Sequence, residues 1–284
     1  MRSLQKQFFV AGVAALLVGC SDLKQPVPAN LDPDLSVHPS GWVDDSSQQF
    51  HGLFLASIQW DLGNCRECHG DDYTGGIANS SCITCHAAGP EDCVVCHGGT
   101  DNATGAPPED LFGNIATTAR GVGAHTAHLS GKSLSAGFEC ETCHLVPTTF
   151  DAAGHVDSEL PAEVLFSNLA LTDSAAPVWN SSSTSCSESY CHGNWSLAKE
   201  QSNSAFIYAD DVMQGNNATP TWTDPESAAC GTCHGLPPTG HTPFELNACA
   251  NCHAAVVDSD GNIIDATKHV NGQINVFGQE FPMF

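Results

Sequence analysis

Seven pairs of cysteines in this 284-residue chain are each followed at once by a histidine, and that repeat constrains the fold more than any other feature. Six have the spacing CxxCH: Cys65, Cys68 and His69; Cys82, Cys85 and His86; Cys93, Cys96 and His97; Cys140, Cys143 and His144; Cys230, Cys233 and His234; and Cys249, Cys252 and His253. The seventh, Cys186, Cys191 and His192, has four residues between its cysteines. Histidine supplies 14 of the 284 residues. Seven such placements by composition alone come to on the order of one in a billion.

CxxCH is the attachment signal for c-type haem. Positions i, i+3 and i+4 share one face of a helical turn, so both thiols and the imidazole can meet one flat macrocycle. The thiols add to its two vinyl groups, and the histidine takes one axial place on iron. The sequence therefore predicts seven covalently attached haem c groups. Each is bound by the two cysteines of its motif, with His69, His86, His97, His144, His192, His234 and His253 as metal ligands. In the Cys186 motif two extra residues must loop outward for the same geometry to hold. Zinc cages and disulfides compete for the cysteines, but neither requires a histidine after every pair.

Those pairs account for 14 of the 15 cysteines, leaving Cys20. It follows a short basic start (Arg2, Lys6) and an apolar stretch too brief to span a bilayer. Residues 1–19 read as a lipoprotein signal peptide, with Cys20 lipid-modified after cleavage; more than one acyl chain suffices for stable anchoring. Ser21 after the cysteine leans towards outer-membrane sorting, on a face the sequence leaves open. Residues 20–50, with Pro26, Pro28, Pro33 and Pro39, form an anchored linker. Residues 51–135 then make an N-terminal trihaem region and 136–284 a C-terminal tetrahaem region, and the two also read as one continuous haem-packed unit.

Beyond residue 19, Leu, Ile, Val and Phe make up only 51 of 265 residues, near the limit at which chains fail to bury a core. The expected fold class is a multihaem cytochrome c, mostly irregular with short helices and a small hairpin, with the haem stack as core. Weak helical character is expected at 50–60 and 161–169, and a hairpin around Asp260-Gly261 within 256–264. The formal charge of −24 rules out nucleic acid as a partner, because no basic patch exists to displace counterions from phosphate. An acidic surface favours cationic partners or metal ions, or simply keeps an exported protein soluble.

Seven further histidines, His38, His51, His125, His128, His155, His241 and His269, equal the number of motifs. The only thioethers outside the leader are Met213 and Met283, so these histidines are the expected distal ligands. Which serves which iron is open. His125 and His128, one helical turn apart, could reach two neighbouring haems of the 65–97 group. Two axial imidazoles leave no vacant position, which favours electron transfer over catalysis, so no catalytic residue is assigned. The rival is a haem enzyme such as an oxyanion reductase. It would need one open iron, sought first at the site of Cys186, Cys191 and His192, and cations to hold the anion; Lys24, Arg66, Arg120, Lys132, Lys199 and Lys268 are scattered.

The chain resembles the multihaem cytochrome lipoproteins of metal-respiring bacteria that mix CxxxxCH with CxxCH. The resemblance is carried by His38-Pro39-Ser40-Gly41-Trp42, Phe50-His51-Gly52, Cys68-His69-Gly70 with Gly75-Gly76, Gly123-Ala124-His125-Thr126-Ala127-His128-Leu129, Tyr190-Cys191-His192-Gly193, Cys233-His234-Gly235-Leu236-Pro237-Pro238 with Gly240-His241, and His269-Val270-Asn271-Gly272. It implies that the histidines in these passages, His38 included, are distal ligands. It also implies electron transfer across or outside the cell envelope in respiration, with other cytochromes, redox proteins, or extracellular metal ions and oxides as partners.

Overall fold

A computed structural model describes residues 37–99, 102–131, 133–157 and 161–283. The signal peptide at 1–19, the lipid site Cys20, residues 20–36 of the linker, and Lys24 and Lys132 lie outside the described residues. The chain divides into two compact units, Met1–Trp60 and Asp61–Phe284.

In the first unit, helix α1 (His51–Ser57) lies within the expected helical stretch 50–60. Its first residue is held twice by one carbonyl: Trp42 O accepts from the His51 backbone N–H at 2.9 Å and from His51 Nδ1 at 2.8 Å. The indole of Trp42 also stacks on His38, with ring centres 4.4 Å apart and planes at 9°. The helix stops where Gln59 and Trp60 turn to positive φ.

In the second unit most motifs carry a helical turn, as their spacing predicts, whereas 230–234 has only bends and turns. α2 (Gly63–His69), α3 (Cys93–Cys96) and α5 (Ala250–His253) sit on motifs, as do 3-10 turns at Cys82–Thr84, Cys140–Thr142 and Tyr190–His192. The backbone N–H of the motif histidine donates to the carbonyl of the first cysteine in His86, His97, His144 and His253, at 2.9 to 3.0 Å. The Cys186 motif departs from this pattern. Cys186 stands on strand β2 (Ser185–Ser187), and Glu188, at φ +56, turns the chain back so that Cys191 and His192 start a fresh turn.

Tyr73, 4% exposed, ties the first three motifs together. Its hydroxyl accepts from Arg66 Nε inside the first motif at 2.7 Å and donates to Glu91 Oε1, just before the third, at 2.8 Å. Its carbonyl accepts from the Cys82 backbone N–H at 3.0 Å, at the start of the second. Arg66 and Glu91 close the triangle with an ion pair.

Three antiparallel hairpins follow. β1 (Val178–Asn180) pairs with β2, placing Trp179 opposite Cys186. β3 (Ser196–Ala198) pairs with β4 (Val212–Gln214), and Leu197 and Met213 there join Tyr208 in the apolar cluster. β5 (Gln273–Val276) and β6 (Gln279–Pro282) are joined by Phe277-Gly278, both at positive φ as a two-residue hairpin turn requires.

Two local expectations are corrected. Residues 161–167 are not helical. Leu165 N–H donates to Cys143 O and Ser167 N–H to Thr142 O, so the stretch is drawn out along the fourth motif, and a 3-10 segment begins only at Asn168–Ser174. At 256–264 the Asp-Gly turn forms, but the ladder is one bridge, Val257 with Ile263, because Asp258 Oδ1 takes the N–H groups of Asp260 and Asn262. Two hydrogen bonds run between the stretches on either side of 135/136. His269 Nδ1 lies against Leu134 O, and Trp222 Nε1 donates to Arg120 O at 2.9 Å.

Burial, then the bond to Glu91, pushes the Tyr73 hydroxyl up to about 12. A folded value above the ordinary 10 means that this stabilisation is whole below pH about 10 and lost as pH rises through about 12. Tyr73→Phe is expected to cost about 1 kcal/mol in denaturant titrations at neutral pH and to shrink the drop over that alkaline window.

Candidate functional site

Four motif histidines each face one histidine from outside the motifs. Ring centres are 6.1 Å apart for His97 and His155, 6.3 Å for His125 and His144, 6.1 Å for His128 and His192, and 6.2 Å for His234 and His269. Two imidazoles on opposite sides of one metal, with bonds of roughly 2 Å, put their ring centres roughly 6 Å apart. Direct stacking would bring them closer. Four pairs at one spacing, each joining a motif member to a non-motif member, therefore match the gap that a single metal atom would fill.

The ring orientations are set from behind. Nδ1 lies against a backbone carbonyl in His51, His69, His125, His128, His144, His155, His234, His241, His253 and His269. A carbonyl only accepts, so Nδ1 must carry the proton and Nε2 is left with its lone pair. Metal-bound histidines are held in the same way, since the partner fixes tautomer and ring plane. The carbonyls come from many places. Val122 O and Ala124 O serve α4 (His125–Leu129), Glu163 O serves His144, Leu134 O serves His269 and Asn275 O serves His253. His192 is different: its Nδ1 faces the Cys233 sulfur at 3.9 Å.

Burial keeps the rings neutral as well. Loss of water lowers His97, His125 and His269 below the usual imidazole range and takes His192 down to about 4. The same effect raises the thiols of Cys65, Cys82, Cys96, Cys143 and Cys233, and takes Cys186 to about 11 and Cys191 to about 12. All fourteen motif cysteines are free, and each is at least partly exposed as a residue.

α4 supplies two of the four pairs. The sequence allowed His125 and His128 to serve the 65–97 group, but they face His144 and His192, of the fourth and fifth motifs. Between them stands Trp222, edge-on to His125 at 4.8 Å and nearly parallel to His128 at 5.6 Å. Its Nε1–H donates to Arg120 O. Nothing in the sequence marked Trp222, since a lone tryptophan carries no spacing signal. Gly123 makes room for it: φ is +43°, and a Cβ there would fall 1.8 Å from Trp222 Nε1.

The four pairs take in the third, fourth, fifth and sixth motifs. The second and seventh motifs show clearly how the turn presents the sulfurs. Cys85 is exposed and its N–H donates to Cys82 O at 3.2 Å, capping the turn that presents both sulfurs. Cys252 is half-buried in α5; its N–H donates to Cys249 O at 3.2 Å, and its carbonyl accepts from Phe277 N–H at 2.7 Å, which ties the motif to the β5–β6 turn.

His38 and His51 flank Trp42, His241 abuts Phe244, and His69, His86 and His253 close their own motif turns. Met213 is buried in the cluster with Leu197 and Tyr208, and Met283 packs against it.

Tetrahedral zinc needs three or four protein donors at one point. Among the described residues no three His, Cys, Asp or Glu side chains converge in that way. The histidines meet in twos, the number of protein ligands left to an iron that already holds four porphyrin nitrogens. Apolar side chains fit that reading. Among the described residues the only large one below 2% exposure is Val122, whereas Ile77, Phe112 and Ile115 are more than 70% exposed. No described helix is long and apolar enough to cross a membrane. No family model, curated protein or solved structure matches this chain.

Gly123→Ala is expected to destabilise the protein by about 1–3 kcal/mol, from both the left-handed backbone and the clash with Trp222. Gly278→Ala, at φ +72° with nothing within 4 Å of its Cβ, should show the backbone cost alone. Equal melting shifts for the two variants would mean that the close approach of Trp222 carries no energy.

Proposed function

We propose that this chain is a heptahaem c-type cytochrome that carries electrons within the cell envelope, of the lipoprotein kind found in metal-respiring bacteria. The observation that carries the reading is the set of four opposed histidine pairs at 6.1 to 6.3 Å. The fourteen motif cysteines would hold seven haems by thioether bonds, with the motif histidines as proximal ligands. His155, His125, His128 and His269 would be the distal ligands of the third, fourth, fifth and sixth motifs. His38, His51 and His241 are the distal candidates for the others.

Bound in this way, haem supplies a one-electron couple with no open coordination position, suited to passing electrons and unsuited to activating a substrate. The residues do the rest. Backbone carbonyls hold each Nδ1 proton and aim Nε2 at the metal. Trp222 and Tyr73 lock groups of motifs against one another, so ligand geometry stays fixed when charge changes. The open-iron alternative was sought at Cys186, Cys191 and His192, and there His128 stands opposite His192. Carboxylates outnumber cations 32 to 8, which suits cationic or metal partners and gives little to bind an oxyanion. Lipid on Cys20 would tether the chain to a membrane.

Three experiments test the reading. The mass of the denatured protein should exceed that of the processed chain by seven haems, and a chain without them ends the proposal. Reduced wild-type protein should leave carbon monoxide unbound, whereas His125→Ala should make one haem in seven CO-reactive. In the producing cell, labelled palmitate should enter the wild type and not Cys20→Ser, which should move from the membrane to the soluble fraction.

A further inference from the structure

The four histidine pairs fall into two geometric classes. His125 and His144 lie with their planes at 19° and His97 and His155 at 30°, so these pairs are near parallel. His128 and His192 stand at 76° and His234 and His269 at 73°, so these are crossed. Ring angle matters because an imidazole donates π density only perpendicular to its plane. Parallel rings raise one iron d orbital and give the ferric hole a single place to sit, which stabilises the oxidised state. Crossed rings raise two orbitals equally, and that stabilisation is lost.

A second feature acts at one crossed pair alone. A carbonyl accepting from Nδ1 makes the imidazole a stronger donor to iron and favours the ferric state; such outer partners are an established lever on potential. His144, His125 and His128 each have one, but His192 has the sulfur of Cys233 at 3.9 Å, a weaker acceptor. Backbone packing builds this contact. Gly193, at φ +92°, lets the chain after His192 pass so close to the sixth motif that a Cβ would fall 1.9 Å from Cys233 O. Asn216 N–H donates to the same carbonyl at 2.9 Å.

Resting on the reading above, we infer that the site of Cys186, Cys191, His192 and His128 has a higher reduction potential than the site of Cys140, Cys143, His144 and His125. The two sites share α4, so the CxxxxCH site is the electron sink of this adjacent couple. Each reduction is one electron from an external one-electron reductant to iron, ferric to ferrous, with no bond made or broken.

The test is electron paramagnetic resonance of the intact holoprotein during stepwise reduction with dithionite. Crossed rings give a highly anisotropic low-spin signal with a large maximum g, and near-parallel rings give an ordinary rhombic one. The wild type is expected to show both. His128→Met should remove a large-g signal and His125→Met a rhombic one, and in the wild type the signal assigned to His128 should vanish first as the potential falls. The inference is overturned by a wild-type spectrum of rhombic signals alone, which needs no variant, or by the reverse order of reduction. Either result leaves seven bound haems intact, whereas failure of the functional reading would appear as a mass without them.

Discussion

The rest of the molecule depends on a small interaction, a backbone carbonyl accepting the Nδ1 proton of a histidine. It fixes the tautomer, sets the ring plane and leaves Nε2 as the outward donor. A regular helix or sheet spends its carbonyls within its own ladder and has few to give. The chain here is irregular where many carbonyls are needed, as at Leu134 and Glu163, which serve His269 and His144, while Asn275 serves His253 from the two-stranded β5–β6 hairpin. Regular turns appear where a motif must put two sulfurs and an imidazole on one face. Scarcity of secondary structure is thus the condition that lets one chain orient so many rings.

Packing follows the same logic. Among the described residues buried apolar groups are few and scattered, and Leu197, Tyr208 and Met213 form a small cluster. Polar ties carry much of the tertiary organisation, among them the Arg66–Tyr73–Glu91 triangle and the Trp222 bond to Arg120 O. Such ties give order more than energy, because each is worth about 1 kcal/mol net. An additional apolar mass is what a chain of this kind needs, and covalently bound cofactors on the proposed reading supply it without asking the sequence for more leucine or valine.

What the sequence disclosed and what it hid divide along the range of the interaction concerned. Motif turns are local: the i to i+4 bond from His86 to Cys82 is set within five residues, and spacing reveals it. Histidine pairing is not local. His128 meets His192 and His97 meets His155 because intervening loops bring them together, and no pattern along the chain encodes that. Residues 161–167 looked helical by composition, yet the fourth motif takes them as an extended partner, a tertiary demand that overrides weak propensity. The β5–β6 hairpin was hidden for a different reason. Its turn places Phe277 at φ +54°, a conformation that Asn or Asp would have advertised and Phe does not.

α4 shows how much can be set by one turn. His125 and His128, three positions apart on a rigid backbone, address two different motif histidines, so the spacing of those two sites follows from helix geometry rather than from loop packing. Trp222 wedges between the two rings and Gly123 admits it, which means that a disturbance at either residue reaches both sites together. The contrast between the sites must then come from the partners. His144 is held by Glu163 O in a plane near that of His125, while His192, lacking a carbonyl, lies against the sulfur of the next motif with its plane crossed to His128. On the proposed reading, one shared helix with two unlike partners would make neighbouring haem sites close in space and different in electron affinity, and that difference would give a one-electron path its direction.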